Sequence, residues 1–250
     1  MRIILVWFFV FLLLCAGAVG LLWLPSLRVS SIEISGVQTT PLSMIESSVH
    51  GKLSGTYWFV IPRDNVFLYP KREIMNALRA QFSAFSDVTL QANDFTTLSI
   101  LISERGPRAL WCGESPASPS PCLLLDQGGV AYGSAADFSS GIYVRYFGAL
   151  TKAPARQFLM PDSFRALFAL VQELEKKSGP IERVVLEEEH DVRVSFANGF
   201  ALLFVRTDDG ADILSRYTIA LSAEPFTTHT LSEFSYLDLR FGDKLYYKLK

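Results

Sequence analysis

The chain has 250 residues, half of them hydrophobic and 19% charged, with 23 Lys and Arg against 25 Asp and Glu for a formal net charge of -2. That balance leaves no excess positive charge to neutralise a phosphate backbone, so no nucleic-acid partner is expected, and the apolar content excludes a disordered chain. The length suits one or two domains, each able to bury a core.

The first element in chain order is the uncharged run from Ile3 to Leu24, IILVWFFVFLLLCAGAVGLLWL. As a helix rising about 1.5 Å per residue it would reach across a hydrocarbon core of about 30 Å. Trp7 and Trp23 stand near its ends as interfacial aromatics, and Pro25 acts as a helix stop. A cleaved signal peptide would use Ala16-Gly17-Ala18, but the apolar run continues through Leu24. A lipoprotein anchor at Cys15 would need a small residue where Leu14 stands. The expectation is an uncleaved single span, residues 3–24, in contact with membrane lipid. Residues 1–2 form the stub before it, and the functional body follows Pro25.

The body reads as two domains, residues 29–105 and 106–250. Val29 to Ser35 alternates as a half-buried strand ending at Gly36, and Pro41 to Gly51 is a helix with Leu42, Ile45 and Val49 on one face. Lys52 to Tyr69 is aromatic and irregular. Within it Tyr57-Trp58-Phe59 are expected to be buried against the two helices, a partner pocket or a membrane-facing patch being the alternatives. A second helix from Pro70 to Phe82 places Ile74, Leu78 and Phe82 together. Strands follow at Phe85 to Gln91, with Val88 and Leu90 inward, and at Phe95 to Ser103, with Leu98, Ile100 and Ile102 inward.

In the second domain, Ala109-Leu110-Trp111 and Leu123-Leu124-Leu125 look like paired strands that bring Cys112 and Cys122 together across a Pro/Ser/Gly loop. A disulfide is expected there, which favours an oxidising, extracytoplasmic compartment; two unpaired core cysteines are the alternative. Pro161 to Gly179 is a patterned helix with Phe164, Leu167, Phe168, Val171 and Leu174 on its core face. Strands are expected at Ile181 to Glu187, Asp191 to Phe196 and Phe200 to Arg206, with Asn198-Gly199 as a hairpin turn. Asp212 to Ala223 reads as a helix, and Leu231 to Phe241 and Lys244 to Leu249 as strands joined across Gly242-Asp243. The predicted class is therefore α+β: an apolar helix, a strand-helix-helix-strand-strand domain, then a β-rich domain with an antiparallel sheet and two helices.

No catalytic, cofactor or metal site is expected. His50, His190 and His229 lack ligand spacing, and the sequence contains no HExxH, GxSxG, Walker or GxGxxG pattern. Glu187-Glu188-Glu189 beside His190 reads as a solvated turn, and Asp208 to Asp212 as a turn with a helix N-cap rather than a calcium loop.

Several segments resemble a known family. Ile32-Glu33-Ile34-Ser35-Gly36-Val37, then Trp58-Phe59-Val60-Ile61 between two helices, then Glu104-Arg105-Gly106-Pro107-Arg108-Ala109 resemble a POTRA domain, in particular that of the FtsQ/DivIB family of bacterial cell-division proteins. Trp111, Leu124-Leu125-Asp126, Gly129-Val130 and Tyr236-Leu237-Asp238-Leu239-Arg240-Phe241 extend the resemblance over essentially the whole chain, with Gly113 to Pro121 reading as an insertion. The resemblance implies a single-pass inner (plasma) membrane protein at the septum, with a cytoplasmic N-terminus and an extracytoplasmic body. It further implies a scaffold that links early and late division proteins and helps assemble septal peptidoglycan synthesis. Its partners would be proteins of the FtsB/DivIC and FtsL type at the terminal region and upstream division proteins at the POTRA side.

The residues make the last strand a candidate binding edge, because an open strand edge recruits a strand from another chain unless something blunts it, and the resemblance, which implies partners at the terminal region, decides for it. Phe241, Leu245 and Tyr247 are expected on one face as anchors, Tyr246 beside them, and Arg240 paired with an acidic partner residue. Lys244 and Lys248 could instead be the blunting device. Two other classes stay open: a POTRA-type export or assembly chaperone for extended clients, and an anchored envelope enzyme of unrecognised fold.

Overall fold

A computed structural model describes residues 2–136, 141–152, 156–187 and 190–250, and divides the chain into two compact units, one ending at Arg105 and one beginning at Gly106.

The first unit opens with α1 (Arg2–Leu22), of which Ile3–Leu22 has mean hydropathy 2.8 and no buried residue, long and apolar enough to cross a membrane. The helix ends two residues earlier than the apolar run does, and Pro25–Leu27 form a 3-10 turn. The last carbonyls of a helix lack intrahelical donors. Asn65, fully buried, supplies one: its side-chain N–H donates to the Leu22 carbonyl at 3.1 Å, while its Oδ1 accepts from Phe67 N–H. Arg28 pairs with both oxygens of Asp64 beside it.

The rest of the unit comprises β1 (Ser31–Ser35), α2 (Leu42–Leu53), a short hairpin of β2 (Thr56–Tyr57) and β3 (Ile61–Pro62), α3 (Lys71–Gln81), β4 (Phe85–Ala92) and β5 (Thr97–Glu104). β5 is the middle strand, antiparallel to β4 and parallel to β1. Ile45, Val49, Leu53, Ile74 and Leu78 from the two helices meet Val88, Leu90, Leu98, Ile100 and Ile102 from the strands. Each such side chain contributes about 1.5–3 kcal/mol by leaving water. Gly51 does not close α2, which runs one half-turn further and buries Leu53; Leu42, expected on the core face, is 50% exposed at the first turn.

The expected burial of Tyr57-Trp58-Phe59 is corrected by the structure: Trp58 and Phe59 are 84% and 97% exposed. The cause is the hairpin, in which Val60 N–H closes a turn onto the Tyr57 carbonyl and puts Trp58 and Phe59 at the apex with φ of 48° and 63°. Side chains at such an apex point away from the strands and cannot return to the helices.

The second unit contains β6 (Ala109–Trp111), β7 (Leu123–Leu125), β8 (Ala131–Ser134), β9 (Arg145–Phe147), α4 (Pro161–Ser178), β10 (Ile181–Leu186), β11 (Asp191–Phe196), β12 (Ala201–Val205), α5 (Gly210–Leu221), β13 (Phe234–Phe241) and β14 (Lys244–Leu249). Within the described residues these strands form one nine-stranded sheet in the order β14-β13-β12-β11-β10-β9-β6-β7-β8. The antiparallel sheet expected from sequential hairpins is corrected here, since β6/β9, β9/β10 and β12/β13 pair in parallel. The reason is connectivity. α4 carries the chain from the end of β9 back to the start of β10, and α5 does the same between β12 and β13, as parallel neighbours require. The expected strand from Leu231 also shortens, because Thr230 and Glu233 form a capping box around a 3-10 turn at Leu231–Glu233.

Both helices pack on one face. Phe164, Leu167, Leu170, Val171 and Leu174 of α4 and Ile213 and Tyr217 of α5 join Val194, Phe196, Leu202, Phe204, Leu237 and Leu239 in the main core. Phe168, expected in that row, is only half-buried, and Leu170 takes the position. Asp209 caps α5 by accepting from the Ala211 and Asp212 N–H groups. Strand alternation turns Leu110, Phe147 and Val185 to the opposite face, where with Cys112 they form a second, smaller core. Cys112 and Cys122 are joined in a disulfide with Cα atoms 4.2 Å apart. A cross-link closing a loop of about ten residues constrains the unfolded chain by roughly 2–3 kcal/mol.

Candidate functional site

The sheet has two edge strands, β8 and β14. β14 is the longer, six residues against four, and every one of its residues is exposed. Gly242, at φ 61°, makes the turn from β13, and the pairs Leu237↔Tyr247 and Asp238↔Tyr246 set the register.

The backbone orientation along β14 follows from one bond. Lys250 N–H donates to the Glu233 carbonyl at 2.9 Å, so Lys250 faces β13. The two irregularities, between Phe234 and Tyr236 and between Asp238 and Phe241, both insert the extra residue on β13, so β14 keeps strict alternation. Lys248 and Tyr246 therefore also face β13, and Leu245 and Tyr247 turn their N–H and C=O groups to the open side, while the Leu249 carbonyl accepts from Ser235 Oγ at 3.5 Å. That edge presents two donor–acceptor pairs at strand spacing.

The side chains divide differently from the expectation. Tyr247 packs on Phe226 and Phe234, with ring centroids 5.6 and 5.9 Å away. The Phe241 ring instead meets Tyr246 edge-on at 5.2 Å. Phe241 thus joins Tyr246 and not Leu245 and Tyr247, because it pairs with Lys244 across the turn and Lys244 shares a face with Tyr246. Phe241, Leu245, Tyr246 and Tyr247 are 55%, 40%, 50% and 45% exposed, leaving an apolar surface on both sides of the open backbone.

Arg240, expected to await an acidic partner residue, already has acids within the chain. Its Nε and Nη2 donate to Asp238 at 2.9 and 2.7 Å, and its Nη1 pairs with Asp191 of β11. Its guanidinium also lies 5.7 Å from the Phe241 ring centre. Burial alone would push the Asp238 carboxyl up, but the bonds from the Arg240 side chain and backbone N–H outweigh it and hold the carboxyl below the usual carboxylate range. A carboxyl whose folded pKa lies below its unfolded one adds stability above the unfolded value, about pH 4, and loses it as pH falls through the folded value. Arg240→Ala should therefore cost about 1–3 kcal/mol at neutral pH, because Asp238 is left buried without its cation. In urea unfolding the difference from the parent chain should shrink as pH drops below about 4, where Asp238 takes up its proton in both. A difference unchanged by pH would assign the loss to packing.

Sequence reasoning missed Asp191, Asp238, Phe226 and Phe234 as the supports of this edge. Asp238 and Arg240 are two apart on a strand and share a face, a signal legible in Asp238-Leu239-Arg240; Asp191, 49 residues away, gives none.

The remaining candidates are structural. Glu187 accepts from Arg193 Nε, and Glu188 and Glu189 lie outside the described residues. Among the described residues no group of three His, Cys, Asp or Glu side chains is placed to hold a metal ion. No protein-family model matches the chain, and no curated protein is similar to it.

Proposed function

We propose that this chain is a membrane-anchored scaffold of bacterial cell division, which performs no reaction and recruits a single-pass partner of the FtsB/DivIC or FtsL type by strand addition to β14. The observation that carries the reading is the open edge of β14 at Leu245 and Tyr247, which no other strand among the described residues covers and which exposed aromatic rings flank. Main-chain pairing would supply affinity there, and alternate side chains would supply specificity. Three further features support it. The order of β1, α2, α3, β4 and β5 suits a POTRA domain, through which upstream division proteins would bind. α1 suits a single inner-membrane span with the N-terminus in the cytoplasm. The Cys112–Cys122 disulfide suits an extracytoplasmic body. Arg240 serves this edge by bracing β13 against β11 rather than by meeting the partner directly.

The test is capture from detergent-solubilised membranes by the intact anchored chain and by one lacking residues 244–250. The intact chain should retain a helical, single-pass division protein, and the truncated chain should not. Equal capture by both would refute the edge. Promiscuous binding of extended polypeptides, independent of those residues, would point to the chaperone reading.

A further inference from the structure

We propose that the β2–β3 hairpin is a second membrane contact, its Trp58–Phe59 apex inserting into the lipid headgroup region beside the exit of α1; this rests on the reading of α1 as a membrane span. Trp23 follows the last residue of α1, where an indole at a membrane–water boundary would sit. Its Nε1 donates to the Val60 carbonyl at 2.8 Å, so the hairpin apex lies at the same depth as Trp23. Asn65, bonded to the Leu22 carbonyl, holds the following loop there as well.

The base of the hairpin is tied to the folded body, with Arg63 N–H donating to the Gly55 carbonyl and Arg63 Nε to the Lys52 carbonyl at the end of α2. The apex is the opposite end, and Trp58 and Phe59 project from it almost wholly exposed. A tight hairpin turn with left-handed φ at both central residues ordinarily carries Asn and Gly. Two aromatics in those positions work against the local backbone preference and bury nothing within the chain.

The chemistry fits a bilayer boundary better than a protein groove. Arg28 and Arg63 lie over the Trp23 and Tyr57 rings at 5.6 and 5.0 Å and pair with Asp64 and Glu73, so ion pairs, not apolar side chains, stand behind the apolar apex. Phe67 and Phe95, in edge contact at 6.0 Å and both exposed, continue the apolar surface from the neighbouring loops. The occupant is thus the bilayer that α1 crosses, and electrically neutral lipid should suffice.

The test uses the full chain with Cys15→Ser and the native disulfide retained, reconstituted in phosphatidylcholine vesicles. A Phe59→Cys variant carries an environment-sensitive fluorophore, as does a Ser86→Cys control at the far end of β4, roughly 20 Å along the sheet from the anchor side. The label at 59 should be quenched several-fold more by nitroxide-bearing lipids, and several-fold less by aqueous iodide, than the label at 86. Equal iodide access at the two positions in a chain that resists alkaline carbonate would overturn the insertion and leave the anchor standing. Shielding at 59 without lipid quenching would also overturn it, in favour of a second copy covering the apex. Release of the chain by carbonate would overturn the anchor reading, and the insertion with it.

Discussion

Tyr247→Pro should abolish partner capture while leaving β14 paired to β13, and Tyr246→Pro should loosen that pairing itself. The two positions are adjacent, yet their backbones face opposite ways. Tyr247 N–H points to the open side, so proline there removes the donor at the centre of the edge and puts a ring in the path of an added strand. Tyr246 lies opposite Asp238 on the β13 side, so proline there removes an internal bond and leaves a β13 acceptor unmatched, at about 1–3 kcal/mol. Tyr247→Pro also deletes the ring packed on Phe226 and Phe234, and Tyr247→Ala measures that loss alone. The alanine variant should weaken capture by only about 1–2 kcal/mol, roughly 5- to 30-fold, where the proline variant leaves none detectable. Binding titration with the purified partner, together with urea unfolding of each variant, separates the two effects. A folded Tyr247→Pro chain that binds normally would show that the partner docks elsewhere.

Gly36→Ala should be among the most damaging single changes in the first unit, at about 3–5 kcal/mol. Gly36 follows β1 at φ 83°, and a Cβ there would stand 2.0 Å from the backbone carbonyl oxygen of Ile102. No rotamer change relieves a clash with backbone, so β1 must move from β5 and give up part of the parallel ladder between Ser31–Ser35 and Thr97–Leu101. Gly55→Ala is the matched comparison. Its φ is 88°, but nothing lies within 4 Å of the added carbon, so it should cost only the left-handed penalty of about 1–2 kcal/mol. Amide exchange should rise in β1 and β5 for Gly36→Ala and remain near parent values for Gly55→Ala. Equal effects from both substitutions would mean that backbone conformation, not the approach of β5, makes glycine necessary at 36.

Much of the candidate edge is legible along the chain, since Lys244–Leu249 alternates behind a Gly-Asp turn and the structure has β14 over those residues. Which of its N–H groups are free is not legible. That depends on Lys250 meeting Glu233 across the ladder, a pairing between strands that no periodicity within one strand contains. Arg240 illustrates the same limit. Its charge and its face could be read locally, but its binding to Asp191 required β11 and β13 to be placed on either side of β12.

Hydrophobic periodicity within single elements accounts for the apolar length of α1, the buried faces of α3 and α4, and the alternation of β4, β5, β11 and β14. Two short flanking strands likewise bring Cys112 and Cys122 into reach. The mixed sheet has no such local origin, since the direction of β10 and β13 is set by where α4 and α5 return the chain and not by the pattern on the strands. The exposure of Trp58 and Phe59 is likewise a product of the assembled fold. Aromatic composition favours burial, but a turn closed by Val60 onto Tyr57 beside the end of α1 leaves those rings no core to enter.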